Sequence, residues 1–291
     1  MKIYRSVLFA PGIDMHKMEK AVGLGADVAV LDLEDSVGVS RKQEARELVA
    51  GMLSRPRAGR ALWVRVNPPD TAFFTGDMLA VVPARPDGIM LPKAETAAGV
   101  SRVDWLLGLL EAHYGLDPGS TDLIPLVESA SGIKNAGEIA ACAPRIKRLC
   151  FGAVDYTLDM GIELTREGNE LYYARCQLAV ASRSAGIEGP IDTVYTDVKD
   201  NDGLAADCRA ARSLGFQGKL VIHPGQIQAV HSIFSPTAEE IARARKVVEA
   251  YEQAMAGGSG VAQLDGKLIE KPIAMRARNV LAAARALGLA E

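Results

Sequence analysis

Short apolar runs rich in β-branched residues alternate along the chain with longer segments of helical hydrophobic spacing. In residues 170–185, for example, Leu171, Ala174 and Leu178 fall on one face of a helix. Similar helical patterns cover Arg41–Leu53 and Val103–Tyr114. The runs that we interpret as strands are Ser6–Phe9, Val28–Leu33, Leu62–Val66, Gly88–Leu91, Leu123–Val127, Arg148–Phe151, Thr193–Tyr195 and Leu220–Ile222.

Eight strands alternating with helices predict parallel β/α units, and eight such units close a TIM (β/α)8 barrel. The competing architecture is an open doubly wound sheet. No GxGxxG sequence follows the first strand, which disfavours the dinucleotide-binding form of that sheet. We therefore predict an α/β protein with a barrel catalytic domain over residues 1–235.

The C-terminal segment has a different pattern. Thr237 followed by Glu239 and Glu240 is typical of a helix start. A capping hydroxyl and acidic residues in the first turn satisfy the first N–H groups of a helix. A Gly-rich break at 257–260 and a short segment at 263–270 precede a final Ala/Arg-rich helix. Residues 236–291 are thus predicted to form a helical arm, packed either on its own barrel or on a neighbouring subunit.

Composition narrows the possible partners. The chain has 291 residues, 48% of them hydrophobic, and a net charge of −3, so we expect no nucleic-acid or anionic-membrane partner. No stretch approaches the roughly 18 apolar residues that a membrane span needs. Cys142, Cys150, Cys176 and Cys208 show neither CxxC nor metal-ligand spacing, which is typical of free thiols in a reducing cytoplasm. We expect a cytoplasmic protein.

Polar residues follow most of the predicted strands. In a β/α barrel the chemistry lies at the carboxyl ends of the strands. The residues found there are Asp32, Glu34, Asp35, Arg65, Asn67, Lys93, Glu128, Asp155 and His223. A loop residue or a salt bridge explains each one separately, but a ring of them around one barrel mouth indicates an active site.

Glu128 and Asp155 follow adjacent predicted strands, so their carboxylates can converge. Two carboxylates repel each other unless one takes up a proton or both share a cation. Mg²⁺ suits one or two carboxylates with positions left for water or substrate oxygens. No His or Cys with suitable spacing favours zinc instead. The alternative is a pair neutralised by Arg or Lys.

Three basic residues at strand ends admit two interpretations each. Arg65 can bind a substrate carboxylate through two parallel hydrogen bonds, be oriented by Glu34 or Asp35, or do both. A structural ion pair explains Lys93 more simply than Schiff-base chemistry does. His223 opens a helix after the last strand, where backbone N–H groups can bind a cofactor phosphate or serve the turn alone.

Several segments occur in one collinear series: RSVLFAPG, VLDLEDSV, VRVN, LPKAE, LVESASGI, FGAVDYTLDMG and KLVIHPGQI. This series resembles the citrate lyase β-subunit-like proteins of the HpcH/HpaI aldolase/citrate lyase superfamily over residues 4–230, with a weaker match in the tail. The resemblance implies a TIM barrel, usually a homotrimer, with Mg²⁺ held by Glu128 and Asp155. It also implies that Arg65 binds the oxo-acid carboxylate, supported by Glu34 and Asp35.

The resemblance further implies coenzyme A contacts and a tail acid. The contacts fall on Arg5, Ser6, Pro11, His223 and Pro224. Relatives acting on free coenzyme A thioesters carry an acid, supplied by a neighbouring subunit, in a segment like GxMIDxP. Here residues 266–272 read GKLIEKP, so Glu270 stands where aspartate is usual and becomes the candidate general acid/base. Asp265 is the second candidate.

The activity implied by the resemblance is Mg²⁺-dependent carbon–carbon cleavage of a 3-hydroxy dicarboxylic acyl-CoA. Citramalyl-CoA or malyl-CoA would yield acetyl-CoA plus pyruvate or glyoxylate, so coenzyme A enters as part of the substrate. Three alternatives stay open: a metal-dependent aldolase acting on a free hydroxy-oxo acid, a malyl-CoA thioesterase, and a carrier-protein-dependent citrate lyase β subunit.

Overall fold

The computed structural model describes residues 2–57 and 59–290. Within these residues, eight parallel strands form a closed barrel in sequence order. They are β1 (Ser6–Pro11), β2 (Val28–Asp32), β3 (Ala61–Arg65), β4 (Gly88–Leu91), β5 (Asp122–Val127), β6 (Cys150–Phe151), β7 (Ile191–Asp192) and β8 (Gly218–Val221). Pairing of β8 with β1 closes the ring, and the predicted TIM barrel is confirmed.

One or two α-helices follow each strand of the barrel. They are α1 (Met15–Gly23), α2 (Lys42–Leu53), α3 (Phe74–Val81), α4 (Ala97–His113), α5 (Ala130–Lys134), α6 (Ala136–Ala141), α7 (Ala153–Met160), α8 (Tyr172–Ser184), α9 (Asn201–Ser213) and α10 (Ile227–Phe234). Helix α4 begins earlier than its hydrophobic pattern indicates, because the hydroxyl of Thr96 accepts a hydrogen bond from the Gly99 N–H and caps it there.

The alternation of side chains along each strand produces both the barrel core and the barrel mouth. Val28 and Val30 lie in a buried apolar cluster, which consists of Tyr4, Val7, Val28, Val30, Trp63, Met90, Ile124, Leu126, Cys150, Ile191 and Leu220. Because side chains alternate with a period of two, Asp32 shares a face with Val30, and Arg65 shares one with Trp63. The same alternation therefore fills the interior below and places charged groups at the carboxyl ends.

The seventh strand differs from its prediction at Thr193–Tyr195. Strand β7 is Ile191–Asp192, with Ile191 paired to Cys150 and Gly218. The β-prone residues that follow it lie in the loop, where the Thr193 hydroxyl accepts a hydrogen bond from the Ala153 N–H. Asp192, which lies just before the predicted strand, is fully buried, so local propensity gave the wrong strand position.

A buried ion network explains why an aspartate lies in β7. The Asp192 carboxylate accepts two hydrogen bonds from Arg175 at 2.9 Å and one from the Lys219 ammonium at 2.6 Å. Asp207 bridges the same two cations from α9. Two acids and two bases are thus paired between the sheet and helices α8 and α9, which offsets the cost of burying them.

We predict that Asp192→Ala destabilises the protein by about 3 kcal/mol, because it leaves buried cations partly unpaired. The free energy of unfolding from urea denaturation measures the effect. The control, Asp70→Ala at an exposed loop position, should change it by no more than about 0.5 kcal/mol. Equal values for the two variants would contradict a structural role for this network.

The chain divides into two compact units, residues 4–230 and residues 231–290 together with residues 2 and 3. The second unit contains α11 (Ala238–Ala256), β9 (Ala262–Leu264), β10 (Lys267–Ile269) and α12 (Lys271–Ala286). Thr237 and Glu240 form a capping box that starts α11 at its predicted position. The C-terminal helical extension is therefore present.

The segment at 263–270, left without assigned structure in the sequence, contributes to an antiparallel hairpin of β9 and β10. Its turn uses left-handed backbone at Asp265 (φ 50°) and Gly266 (φ 72°). The unit has its own apolar core, formed by Ala244, Val247, Tyr251, Ile269, Ala274 and Ala277. Among the described residues, no helix is long and apolar enough to cross a membrane.

Candidate active site

Glu128 and Asp155 converge at the mouth of the barrel. Glu128 directly follows β5, and Asp155 lies in the first turn of α7 after β6. Between them is the ammonium group of Lys93, which follows β4. Its Nζ lies 3.7 Å from Glu128 Oε1 and contacts Asp155 Oδ1 directly. The two acids thus meet on one nitrogen atom, and the structural ion pair expected for Lys93 is confirmed.

Glu128 is held in place from several sides. The backbone N–H of Lys93 donates a 2.8 Å hydrogen bond to Glu128 Oε1. Gly152 packs against it so closely that a Cβ at that position would lie 2.7 Å from Glu128 Cβ and Oε2. Only 3% of the residue is exposed, and burial raises the pKa of Glu128 to about 7, although the nearby charge of Lys93 opposes the shift.

Arg65 forms the second charged cluster at the mouth. Its Nε and Nη2 donate to the Asp32 carboxylate at 2.7 and 2.9 Å, a bidentate pair that the β2–β3 register brings together. Its Nη1 faces Glu34 at 2.9 Å and Asp35 at 3.3 Å. The ring of Phe9, 5.0 Å from the guanidinium carbon, covers one side.

Three acids share this one guanidinium, and their protonation differs accordingly. Burial is the largest single effect and opposes ionisation of Asp32, but its hydrogen bonds and the charge of Arg65 together outweigh burial and lower the pKa of Asp32. Burial raises the pKa of Glu34 to about 8, although Arg65 partly offsets the effect. Asp35 is 70% exposed. Asp32 is therefore the main ion-pair partner of the guanidinium, and Glu34, with its raised pKa, is the acid that most readily holds a proton.

The residues predicted to contact coenzyme A lie at opposite ends of the barrel. Pro11 ends β1, and His223 and Pro224 follow β8, so these three are at the mouth. His223 is exposed, and its Nδ1 accepts a hydrogen bond from the Gly225 N–H at 3.1 Å. That bond leaves the imidazole Nε2 uninvolved.

Arg5 and Ser6 lie at the end of the barrel opposite the mouth. They lie at the amino end of β1, because a parallel barrel has all its strand starts at the end opposite the mouth. Arg5 forms an ion pair with Asp27 at 2.8 Å, and Ser6 is fully buried. These two residues therefore lie at the floor of the barrel, and their contact with coenzyme A stays a prediction that this position does not favour.

The two candidate acids of the tail lie in the second compact unit. Glu270 follows β10 and is the N-cap residue of α12, where its side chain makes no capping hydrogen bond. Asp265 lies in the hairpin turn. Both residues are exposed.

The sequence interpretation missed two features of the site. One is that Asp32, rather than Glu34 or Asp35, is the bidentate partner of Arg65, although strand register pairs the two positions. The other is Gly152, whose missing side chain leaves room for Glu128. A glycine directly after the apolar run of β6 was a signal for the second feature.

Comparison with known families identifies the chain. Residues 5–224 match the HpcH/HpaI aldolase/citrate lyase family. The chain belongs to this family. Residues 177–289 also match a family of carbon–carbon bond lyases of the TIM-barrel fold. The protein is thus an enzyme of a lyase family, as the resemblance of its motifs implied.

Relatives in the HpcH/HpaI aldolase/citrate lyase family cover almost the whole chain. Citrate lyase subunit beta of Escherichia coli K12 is 39% identical over 289 residues, 99% of this chain and 95% of the relative. A (3S)-malyl-CoA thioesterase of Cereibacter sphaeroides is 36% identical, covering 98% of this chain and 95% of the relative.

A solved structure supports the same membership. CitE from Mycobacterium tuberculosis, in complex with magnesium, acetoacetate and coenzyme A, is 30% identical. It superposes with a TM-score of 0.80 and covers 97% of this chain and 98% of its own. The family therefore includes proteins of the same fold with named lyase and thioesterase activities.

We predict that Glu34→Gln reduces the pH dependence of stability. Because the pKa of Glu34 is raised from 4.5 to about 8 on folding, its contribution is fully present below pH 4.5 and is lost as the pH rises towards 8. The free energy of unfolding of the metal-free protein should therefore fall less in Glu34→Gln than in the wild type between about pH 5 and pH 8. The control is Glu95→Gln, at an exposed loop position. Identical pH profiles for all three proteins would contradict the assignment.

Proposed function

We propose that this protein is a Mg²⁺-dependent carbon–carbon lyase that cleaves a 3-hydroxy dicarboxylic acyl-CoA to acetyl-CoA and a 2-oxo acid. Citramalyl-CoA and malyl-CoA are the candidate substrates. The observation that carries the proposal is the convergence of Glu128 and Asp155 on one positively charged atom. The complex of CitE with magnesium, acetoacetate and coenzyme A supports it by analogy.

The donor set fits Mg²⁺. Among residues 2–57 and 59–290, no group of three or more His, Cys, Asp or Glu side chains could hold a metal ion. An all-protein site is therefore not formed there, but two convergent carboxylates with positions left for water and substrate oxygens match the preference of Mg²⁺. Burial of Glu128 adds to the fit, because a desolvated carboxylate gains most from a cation.

Arg65 is the proposed binding residue for a substrate carboxylate. Asp32 holds one edge of the guanidinium through Nε and Nη2, which fixes its plane. The Nη1 edge faces Glu34 and Asp35, of which Asp35 is the more weakly placed at 3.3 Å and 70% exposed. A substrate carboxylate can replace Asp35 there, while Glu34 in its protonated form adds a hydrogen-bond donor rather than a repelling charge.

The reaction breaks the bond between the hydroxyl-bearing carbon and the carbon next to the thioester. The hydroxyl loses its proton, its oxygen becomes the carbonyl of the 2-oxo acid, and the bonding electrons move into the thioester enolate. A bound Mg²⁺ supplies charge stabilisation to the substrate oxygens. Arg65 orients the scissile bond by holding the neighbouring carboxylate. A proton donor then converts the enolate to acetyl-CoA.

The coenzyme is proposed to lie against Pro11, His223 and Pro224. These residues lie beside each other at the mouth because β1 and β8 are adjacent in the barrel. Exposed His223 presents its Nε2, and the turn at Pro224 starts a helical segment. Either group can contact a phosphate or the pantetheine chain.

Two alternatives are favoured by named relatives. The citrate lyase subunit beta of E. coli, at 39% identity, favours a subunit acting on a carrier-protein thioester. The C. sphaeroides relative favours a thioesterase that releases free malate. Incubation with Mg²⁺ and citramalyl-CoA or malyl-CoA separates them. The lyase releases a 2-oxo acid and acetyl-CoA, the thioesterase releases a free hydroxy acid, and the subunit cleaves only a carrier-linked thioester.

We predict that Asp155→Asn and Glu128→Gln each lower kcat for thioester cleavage by about 100-fold or more, because each removes a charged ligand of the cation. Mn²⁺ binding followed by calorimetry should weaken in parallel. The matched control, Asp117→Asn, lies in an exposed loop after α4 and should keep both properties. Full metal-dependent turnover in either site variant would refute the ligand assignment.

We propose that residues 236–291 pack on a neighbouring copy in a homotrimer and bring Glu270 or Asp265 to its barrel. Exposed apolar side chains in the arm support this, among them Val261, Leu268 (56% exposed) and Ile273. In the barrel unit, Leu158 on α7 is 80% exposed, close in sequence to Asp155. Such surfaces are typical of contacts between subunits.

Glu270→Gln is expected to lower kcat by about 10²–10⁴-fold with little change in KM, because a general acid acts on the enolate and not on binding. Asp265→Asn is the matched comparison and should keep its turnover. A mixture of Glu270→Gln and Asp155→Asn chains should regain activity if the acid crosses between subunits. Loss of turnover in Asp265→Asn alone would move the role to Asp265.

A further inference from the structure

The point at which the two candidate metal ligands meet is already taken by a side chain. Lys93 Nζ contacts Asp155 Oδ1 and lies 3.7 Å from Glu128 Oε1. This ammonium supplies the positive charge that the buried Glu128 and its neighbour need. The acid pair is therefore neutralised in part by a side chain of the same chain.

The backbone of Lys93 is strained in this position. Its φ of 51° lies in the left-handed region, which glycine adopts without strain and a lysine does not. The same residue donates its backbone N–H to Glu128 Oε1 at 2.8 Å. The strained residue thus bonds to Glu128 through its backbone and to Asp155 through its side chain, and strain of this kind is typical of functional sites.

The Lys93 side chain also has room to move. It is 39% exposed, in contrast to Glu128, and it lines an open cavity of about 580 Å³ between the loops after β3 and β4. Pro68, Pro69 and Thr96 form other parts of that wall. The ammonium can therefore leave the acids and remain solvated, whereas the buried carboxylate of Glu128 cannot follow it.

We propose that Lys93 is a resident counter-ion that a divalent cation must displace from Glu128 and Asp155. The inference rests on the proposed function, which assigns those two acids to Mg²⁺. An ammonium group and a divalent cation repel each other at contact distances, so Lys93 lowers the affinity of the pair for metal. In return it keeps the two acids together in the metal-free enzyme.

Titration of Mn²⁺ into the metal-free full-length protein, followed by calorimetry, tests this inference. Lys93→Met removes the charge but keeps the length of the side chain, and Lys93→Arg keeps the charge. We expect Lys93→Met to bind Mn²⁺ on the order of tenfold more tightly at low salt, with a smaller gain at high salt. Lys93→Arg should stay near the wild type. Lys20→Met, exposed in the last turn of α1, controls for net charge.

Thermal unfolding gives a second measurement. In chelator, Lys93→Met should unfold at a lower temperature than the wild type, because its two acids repel without a cation between them. Added Mn²⁺ should raise its unfolding temperature by more than it raises that of the wild type. Lys93→Gln provides a second neutral variant in case the Met variant does not fold.

The outcomes distinguish a failure of the counter-ion role of Lys93 from a failure of the metal site itself. Unchanged or weaker Mn²⁺ binding in folded Lys93→Met and Lys93→Gln overturns the counter-ion role, provided that Asp155→Asn binds more weakly than the wild type. Equal Mn²⁺ binding by the wild type and Asp155→Asn overturns the metal site itself, and the role of Lys93 with it.

Discussion

A carboxylate almost completely removed from water needs a positive charge beside it, and Glu128 imposes that need on the barrel mouth. The groups around Glu128 supply this charge and the space for its carboxylate. The N–H and ammonium of Lys93 approach one oxygen, and the missing side chain of Gly152 leaves space for the other. Asp155 joins the same cation from the neighbouring strand end. The proposed metal chemistry depends on this arrangement, because it makes the position favourable for a cation.

The guanidinium of Arg65 is a largely buried cation, so it needs a negative charge beside it. Its bidentate partner Asp32 lets the charge stay there. Burial is the main cause of the raised pKa of Glu34, and the neighbouring carboxylates add to it more than the guanidinium can offset. Asp32 is also buried, but its hydrogen bonds and the charge of Arg65 lower its pKa. Two charged clusters, which we propose bind a metal ion and a substrate carboxylate, thus lie at the same mouth.

Much of the fold and the ring of charged residues could be predicted from the sequence, because strand alternation and the position of polar residues after apolar runs are local signals. The position of Glu128, Asp155 and Arg65 at the barrel mouth was predicted in this way. Strand β7 was misplaced because the buried Asp192 has partners, Arg175 and Lys219, that are remote in sequence. The pairing of Asp32 with Arg65 depends on strand register, which no local pattern shows. The position of Arg5 at the barrel floor follows from the parallel strand direction, which the predicted barrel already implied.

The most direct test of the central claim is anomalous diffraction from crystals of the protein grown with Mn²⁺ and a 2-oxo acid. We expect one strong manganese peak coordinated by the carboxylates of both Glu128 and Asp155, with the oxo acid reaching from it to the Arg65 guanidinium. A peak bound elsewhere, or carboxylates that still contact only Lys93 at saturating Mn²⁺, would contradict the account.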